Sequence, residues 1–245
     1  KLSAAAVFRH RTVEELAAAM RIRVPWSPLV PIQTGGSRPP LFCVHPLGGL
    51  AIGYAALARS LGADQPFCGL QSIGMEEGQE PLDSVQAMAA MYVEAIRQML
   101  PDGPYLLSGY SYGGRVAYEM AQVLRRDGRD VSLLALLDCA SPALDDATIT
   151  DVDDATLLCN LVPDDIGVTI EELRRLDADA QLRSVVAKAR ERGLIPPDFD
   201  TDGLRRFLRV YKSNIVAGYR HRPAPYPGRI TLLQTEERAA IPDQN

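Results

Sequence analysis

Short apolar runs alternate along the chain with segments whose apolar positions recur at helical spacing. Continuous apolar runs predict strands buried on both faces at 41–44 and 66–70, and the largely apolar 131–137 segment predicts another strand. A further strand is predicted over 228–234, after a Pro-rich turn. Between these strands lie a helical segment over 53–61 and a longer amphipathic helix, which is expected to be capped by Asp83 with Gln86. This alternation predicts an α/β fold with a mostly parallel, doubly wound sheet.

Residues 145–220 interrupt the alternation. Helical segments around 157–161, 170–192 and 203–219 follow one another there without an evident strand. Such an all-helical insertion predicts a lid over the strand ends, and helices that merely pack on the sheet are the alternative. The first residues of this insertion form an acidic segment, which is interpreted as a solvent-exposed face. It contains Asp145, Asp146, Asp151, Asp153 and Asp154.

The first 22 residues predict one short amphipathic helix. Thr12 followed by Glu15 is a capping-box pattern, and apolar side chains line one face of the helix after it. Such a helix needs a partner surface, yet a Pro/Gly-rich connector over 23–40 follows it. We therefore interpret 1–22 as the end of a preceding domain, 23–40 as a linker and 41–245 as the main domain.

Composition narrows the class of protein. The 245 residues carry a net charge of -5, which gives no reason to expect a nucleic-acid partner. No uninterrupted apolar run approaches membrane-spanning length, and no signal-peptide pattern is evident, so we expect a cytoplasmic protein without a membrane partner. No two of the four cysteines have metal-ligand spacing, so we expect buried free thiols and no metal site.

The most informative motif is Gly-Tyr-Ser-Tyr-Gly at 109–113. It follows a short apolar strand beginning at Tyr105 and precedes a helix with apolar residues at helical spacing. Gly-x-Ser-x-Gly in this context is typical of the nucleophile elbow of α/β-hydrolases, where flanking glycines let strand and helix approach closely. We therefore predict Ser111 as a nucleophile, and an ordinary Gly-Ser turn is the alternative.

A serine nucleophile needs a base that is oriented by a carboxylate. Asp138 directly follows the 131–137 strand, at the edge of the sheet where Ser111 is expected. It also follows Ser111 in the order that α/β-hydrolases use. We predict Asp138 as the orienting acid, and a turn cap is the alternative.

The general base is less evident, because the chain has only three histidines. His10 lies in the N-terminal segment, and His45 precedes Ser111 and is expected to hold its own loop. His221 precedes the final strand, whereas the hydrolase histidine follows it. His221 stays open as a candidate, but we expect the catalytic histidine to lie beyond Asn245 or in another portion absent from this chain.

The loop His-Pro-Leu-Gly-Gly at 45–49 follows the first strand of the main domain. Glycines there allow a backbone amide to point at a reacting oxygen, and the residue after a nucleophile commonly supplies a second amide. We therefore predict the backbone N–H groups of Leu47 and Tyr112 as oxyanion donors. A plain glycine turn is the alternative.

Four segments carry a resemblance to a known family: Leu41–Gly49, Gly69–Gln71, Gly103–Gly114 and Tyr226–Leu232. They look like the thioesterase domains that terminate nonribosomal peptide and polyketide synthetases. Residues 1–22 resemble the last helix of a carrier-protein domain, although Val7 and Arg11 depart from its usual pattern.

This resemblance implies a two-step acyl transfer. Ser111 would take a peptidyl or acyl chain from the phosphopantetheine arm of an upstream carrier domain in cis, and the chain would then be released by hydrolysis or macrocyclisation. It implies no cofactor within the domain itself. Two other interpretations stay open: a stand-alone editing thioesterase or esterase, and a non-catalytic module that docks a carrier.

Overall fold

The computed structural model describes Thr12, Glu14 and Glu15 together with residues 26–139 and 153–236. The strands within these residues are β1 (Leu29–Gln33), β2 (Leu41–Val44), β3 (Phe67–Leu70), β4 (Tyr105–Tyr110), β5 (Val131–Leu137) and β6 (Thr231–Leu233). The helices are α1 (Ala55–Ser60), α2 (Val85–Met99), α3 (Tyr112–Arg126), α4 (Asp154–Asn160), α5 (Ile170–Arg174), α6 (Ala178–Glu191) and α7 (Thr201–Arg220). Single 3₁₀ turns lie at Ile52–Tyr54 and Asp164–Ile166.

The strands form one sheet in the order β1-β3-β2-β4-β5-β6. β1 runs antiparallel to β3, and the other neighbouring pairs are parallel. This arrangement confirms the predicted α/β fold with a mostly parallel sheet. Because β2, β4 and β5 are parallel neighbours, the loops that follow them meet at one edge of the sheet.

Both faces of the sheet are covered by helices. In β2, Phe42 and Val44 pack in a cluster with α2 and α3, whereas Leu41 and Cys43 face a second cluster with Tyr54 and α1. All four residues of this strand are buried. A continuous apolar run is therefore what a strand covered on both faces requires.

The described part of the predicted insertion, residues 153–220, contains helices and turns and no strand. Its four helices enclose an apolar core of their own, which includes Leu158, Leu173, Val185 and Leu208. Side chains cap the starts of all four helices: Asp153, Thr169, Asp177 and Asp200. None of the described helices is both long enough and apolar enough to span a bilayer.

Only part of the acidic segment at the start of the insertion lies within the described residues. Asp153 accepts from the Thr156 N–H and pairs with Arg174 at 2.8 Å, and Asp154 pairs with Lys212 of α7. These two carboxylates therefore hold the insertion together at its surface. The other three acidic residues, Asp145, Asp146 and Asp151, lie outside the described residues.

Three details differ from the sequence prediction. The connector predicted over 23–40 contains β1, an edge strand that pairs with β3. The cap of α2 is Ser84, whose hydroxyl accepts from the Ala87 N–H at 3.2 Å, rather than Asp83. The helix predicted over 170–192 is two helices, because Asp177 begins a new one by accepting from the Ala180 N–H.

The predicted capping box near the N-terminus is confirmed. The Thr12 N–H donates to Glu15 Oε2 at 3.2 Å, and the Glu15 N–H donates to Thr12 Oγ1 at 3.1 Å. The remainder of the predicted helix over 1–22 lies outside the described residues. Its interpretation as the end of a carrier domain stays a prediction.

Candidate active site

Ser111 lies at a sharp bend between β4 and α3. Its φ of 52° and ψ of -118° are values that residues with a side chain rarely adopt. Backbone contacts hold the bend: the Ser111 N–H donates to Leu137 O at 2.8 Å, and the Ser111 carbonyl accepts from the Gly114 N–H at 3.1 Å. The structure thus places Ser111 at the carboxyl end of β4, where the motif predicted it.

The flanking glycines are required by the close approach of two backbones. A Cβ on Gly109 would lie 2.2 Å from the carbonyl carbon of Gly113. A Cβ on Gly113 would lie 2.3 Å from Val44 O and 2.5 Å from His45 O. The start of α3 is therefore pressed against the end of β2, which brings the residue after Ser111 close to the 45–49 loop.

Replacing Gly113 with alanine is expected to destabilise the domain by about 1–3 kcal/mol, because the new methyl group meets backbone that cannot rotate away. Gly53→Ala is the matched control, since its Cβ has no neighbour within 4 Å. Urea unfolding monitored by circular dichroism would measure both. Equal midpoints for the two variants would contradict the close approach.

The Ser111 hydroxyl is not used as a helix cap. Ser84, Asp153, Thr169, Asp177 and Asp200 all precede helices, and each accepts a backbone N–H through its side chain. Ser111 occupies the same position before α3 and makes no such bond. Its half-buried hydroxyl is therefore left available for a substrate, unlike the hydroxyl of an ordinary Gly-Ser turn.

Asp138 lies beside Ser111 at the same edge of the sheet. Tyr110 of β4 pairs with Leu137 of β5, so Ser111 and Asp138 are the next residues on two adjacent strands, about 4.8 Å apart across the sheet. Asp138 has a φ of 49°, and its N–H donates to Leu233 O at 2.6 Å. Asp138 is partly buried, and its backbone lies one strand spacing from that of Ser111. Its role as orienting acid stays a prediction.

His45 is fully buried and is not placed to act as a base. Its ring nitrogens lie 2.7 Å from Pro46 O and 2.8 Å from the Tyr92 hydroxyl. Burial lowers the pKa of His45 to about 4, so the ring is neutral at physiological pH. Both nitrogens are occupied within the protein, as expected for a histidine that holds its own loop.

His221 is also held away from Ser111. Its Nε2 lies 3.2 Å from Glu119 Oε2, and both side chains are buried. Glu119 is eight residues along α3 from Ser111, about 12 Å along the helix axis. His221 is therefore not brought to the serine, and His10 lies outside the described residues.

The predicted oxyanion loop is a tight turn over Pro46–Gly49. The Gly49 N–H donates to Pro46 O at 2.9 Å, and Gly49 has a φ of 82°. Within the described residues, the N–H groups of Leu47 and Tyr112 donate to no protein acceptor. For Tyr112 this follows from its place at the first position of α3, where helical amides have no partner. The free Tyr112 amide therefore directly follows Ser111 in the chain, and the free Leu47 amide belongs to the loop whose first residue adjoins the start of α3.

Helix α7 of the insertion packs directly on this turn. Asn214 is fully buried, and its Nδ2 donates to Leu47 O at 2.9 Å. The Phe207 ring lies so near Gly48 that a Cβ there would sit 3.0 Å from it. The sequence prediction missed Asn214, although a signal existed: Asn214 interrupts an apolar stripe that includes Phe207, Val210 and Ala217.

The cysteines are free thiols, three of them buried. Burial raises the pKa of the Cys43 thiol to about 12, which makes it unreactive. Cys139 Sγ donates to Ser111 O at 3.1 Å and so supports the bend. Among the described residues, no three His, Cys, Asp or Glu side chains are grouped to hold a metal ion.

The fold and the serine bend together define a serine hydrolase of the α/β-hydrolase class. The profile of the thioesterase domain family matches residues 39–236. The chain belongs to this family of thioesterases.

The curated relatives that match this chain are large peptide synthetases. A dimodular nonribosomal peptide synthase of Bacillus subtilis (strain 168) is 43% identical over 141 residues, which are 56% of this chain and 6% of that protein. A nonribosomal peptide synthetase of Aspergillus terreus is 30% identical over 224 residues, 88% of this chain and 24% of that protein. The chain thus spans a quarter or less of the length of the curated relatives it matches.

Solved structures agree with this placement. A four-domain nonribosomal peptide synthetase, holo-AB3403, superposes with a TM-score of 0.80 at 28% identity, covering 97% of this chain and 19% of that one. The NocB thioesterase domain, in covalent complex with a fluorophosphonate nocardicin G analogue, has a TM-score of 0.53 at 27% identity over 81% of this chain and 72% of that one.

Proposed function

We propose that this chain is the thioesterase domain that releases the finished product of a nonribosomal peptide synthetase. The observation that carries the proposal is the strained Ser111, whose hydroxyl caps no helix and which is followed directly by the free backbone amide of Tyr112. Membership of the thioesterase family indicates that the bond to be cleaved is an acyl thioester. The relatives are nonribosomal peptide synthetases, and we propose that in such a setting the thioester is carried on the phosphopantetheine arm of a carrier domain.

The first step is acylation of Ser111. The Ser111 oxygen attacks the thioester carbonyl carbon while a base takes its proton. The carbonyl oxygen becomes an oxyanion, which accepts hydrogen bonds from the N–H groups of Leu47 and Tyr112. The C–S bond then breaks, the pantetheine sulfur takes the proton as a thiol, and the acyl chain remains on Ser111 as an ester.

The second step releases the chain from the serine. Water, or an amine or hydroxyl of the chain itself, attacks the ester carbonyl, and the Ser111 oxygen leaves with a proton. Water gives a linear acid, whereas an internal nucleophile gives a macrocycle. Helix α7, which packs on the Pro46–Gly49 turn, would contribute to excluding water and so favour the internal nucleophile.

The base is proposed to be a histidine other than His45 and His221. His45 and His221 are both engaged elsewhere in the protein. Asp138 lies one strand spacing from Ser111 and is proposed to orient that imidazole. The same imidazole would accept the serine proton and return it to the leaving sulfur.

The partner that delivers the substrate is proposed to be a carrier domain that precedes this one. The capping box formed by Thr12 and Glu15 is consistent with a helix before the thioesterase domain. The match to the four-domain synthetase covers 97% of the chain and so extends beyond residues 39–236. No cofactor within the domain is needed for the proposed chemistry.

The proposal predicts a substrate preference. A protein that continues beyond Asn245 should release peptidyl N-acetylcysteamine thioesters and pass through an acyl-Ser111 intermediate, which intact-mass measurement would detect. Short acetyl and aminoacyl thioesters should be turned over at least about tenfold more slowly, because a pocket built for a long chain gains binding energy from the whole chain.

Two outcomes would contradict this assignment. Preferential hydrolysis of acetyl thioesters would favour an editing thioesterase. If a fluorophosphonate fails to label Ser111 in the folded full-length protein, the domain would instead be a module that docks a carrier.

A further inference from the structure

The fully buried His45 ring has a defined direction of hydrogen bonding. Its Nδ1 lies 2.7 Å from Pro46 O, and a carbonyl oxygen can only accept, so Nδ1 carries the proton. Its Nε2 lies 2.8 Å from the Tyr92 hydroxyl and therefore accepts from it. The chain of donors runs from Tyr92 through His45 to the Pro46 carbonyl.

That carbonyl belongs to the same peptide group as the Leu47 N–H. A trans peptide is planar, and its C=O and N–H point in opposite directions. Fixing the Pro46 carbonyl therefore fixes the direction of the Leu47 N–H. The Gly49 N–H also donates to this carbonyl at 2.9 Å, so two donors hold it. Hydrogen bonds in such a chain polarise one another, which makes the Leu47 N–H a stronger donor.

The same ring contacts the residue that bears the second amide. The rings of His45 and Tyr112 stack with centroids 6.0 Å apart and an interplanar angle of 28°. The His45 and Tyr92 rings meet edge to face at 5.9 Å. His45 thus touches Tyr112 by stacking and governs Leu47 through its peptide group.

We propose that His45, supported by Tyr92, is a positioning residue that aims the Leu47 amide at the oxyanion. This inference rests on the proposed function of Ser111. It assigns a role to a histidine that does not contact substrate, and to a tyrosine that the helical pattern marks only as a core residue. A phenylalanine would fill the same apolar site, so the Tyr92 hydroxyl is explained by its bond to His45.

The central test is Tyr92→Phe with Tyr105→Phe as its matched control. Tyr105 is an equally buried tyrosine of the same apolar cluster, but its hydroxyl donates to Leu100 O and Pro101 O, at the opposite end of β4 from Ser111. Tyr92→Phe should lower kcat about tenfold with KM unchanged, which is less than the roughly 10²- to 10³-fold loss from deleting a whole oxyanion donor. Tyr105→Phe should leave kcat unchanged.

A second pair tests the histidine directly. His45→Asn keeps an N–H donor near the place of Nδ1, whereas His45→Leu does not. We expect His45→Leu to lose about 10²-fold in kcat, and His45→Asn to lose only about tenfold, as Tyr92→Phe does, because it keeps the donor to Pro46 O but loses the Tyr92 link. If His45→Leu does not fold, Tyr92→Phe still decides.

The outcomes separate this inference from the proposed function. If the full-length wild-type protein is not labelled at Ser111 by a fluorophosphonate, the proposed function fails. If wild type is labelled and Tyr92→Phe matches Tyr105→Phe in kcat, KM and labelling rate, the positioning role is wrong and the nucleophile stands.

Discussion

Replacing Ser111 with alanine is expected to lower kcat by at least about 10⁴-fold, because the proposed acyl transfer begins with attack by the Ser111 hydroxyl, and alanine has no group to take the acyl chain. Stability should stay within about 0.5 kcal/mol of wild type, since the hydroxyl makes no capping bond. Product formation from a peptidyl thioester and intact mass after single turnover would measure the first effect, and urea unfolding the second.

Ser84→Ala is the matched control with the opposite phenotype. The Ser84 hydroxyl caps α2 by accepting from the Ala87 N–H, so its loss should cost about 1 kcal/mol of stability. Turnover should be unaffected, because within the described part of the chain the Ser84 hydroxyl bonds only Gln86 and Ala87 of its own helix and no proposed site residue. A Ser111→Ala protein that keeps most of its activity, or forms an acyl-enzyme, would place the nucleophile elsewhere.

Buried strands and the serine motif were the features that the sequence predicted best. The strands at 41–44 and 131–137 have the predicted bounds: β2 is apolar and buried at every position, and β5 is apolar except for the exposed Ser132. The Gly-x-Ser-x-Gly motif determines its own local geometry, since Gly109 and Gly113 permit contacts that any side chain would block.

The edge strand was not predicted for a physical reason. β1 contains Pro31. A segment with proline and nearby glycines is typical of a loop or linker, so the sequence predicts no strand there. An edge strand tolerates proline because one side of its backbone has no neighbouring strand to bond, and here the register shifts between Pro31 and Gln33. Gln33 then donates to Gly62 O and Gln65 O, a contact that no local pattern contains.

The supports of the predicted oxyanion turn likewise depend on distant contacts. Asn214 reaches Leu47 across 167 residues, and Tyr92 reaches His45 across 47. Local periodicity places such residues on a helix face, but it does not say which loop that face will meet. The sequence therefore indicated where the chemistry lies, whereas tertiary packing decides which side chains hold it in place.

Asp138→Asn is expected to lower kcat by about 10³- to 10⁴-fold while leaving the fold intact. A neutral amide does not favour the imidazole tautomer that accepts the serine proton, nor does it stabilise the imidazolium that forms. Asparagine tolerates the φ of 49° at this position, and the backbone bond from the Asp138 N–H to Leu233 O is unchanged. Stopped-flow acylation with a chromogenic thioester would measure the loss.

Asp127→Asn provides the control for the loss of one carboxylate. Asp127 follows α3 at its far end and forms an exposed ion pair with Arg97 at 3.0 Å, a contact worth at most about 1 kcal/mol. Its acylation rate should equal that of wild type. Asp138 and Ser111 directly follow adjacent strands. One imidazole between them could donate a hydrogen bond to the carboxylate and accept the proton of the hydroxyl. An Asp138→Asn protein that acylates at the wild-type rate would break that coupling and require a different acid.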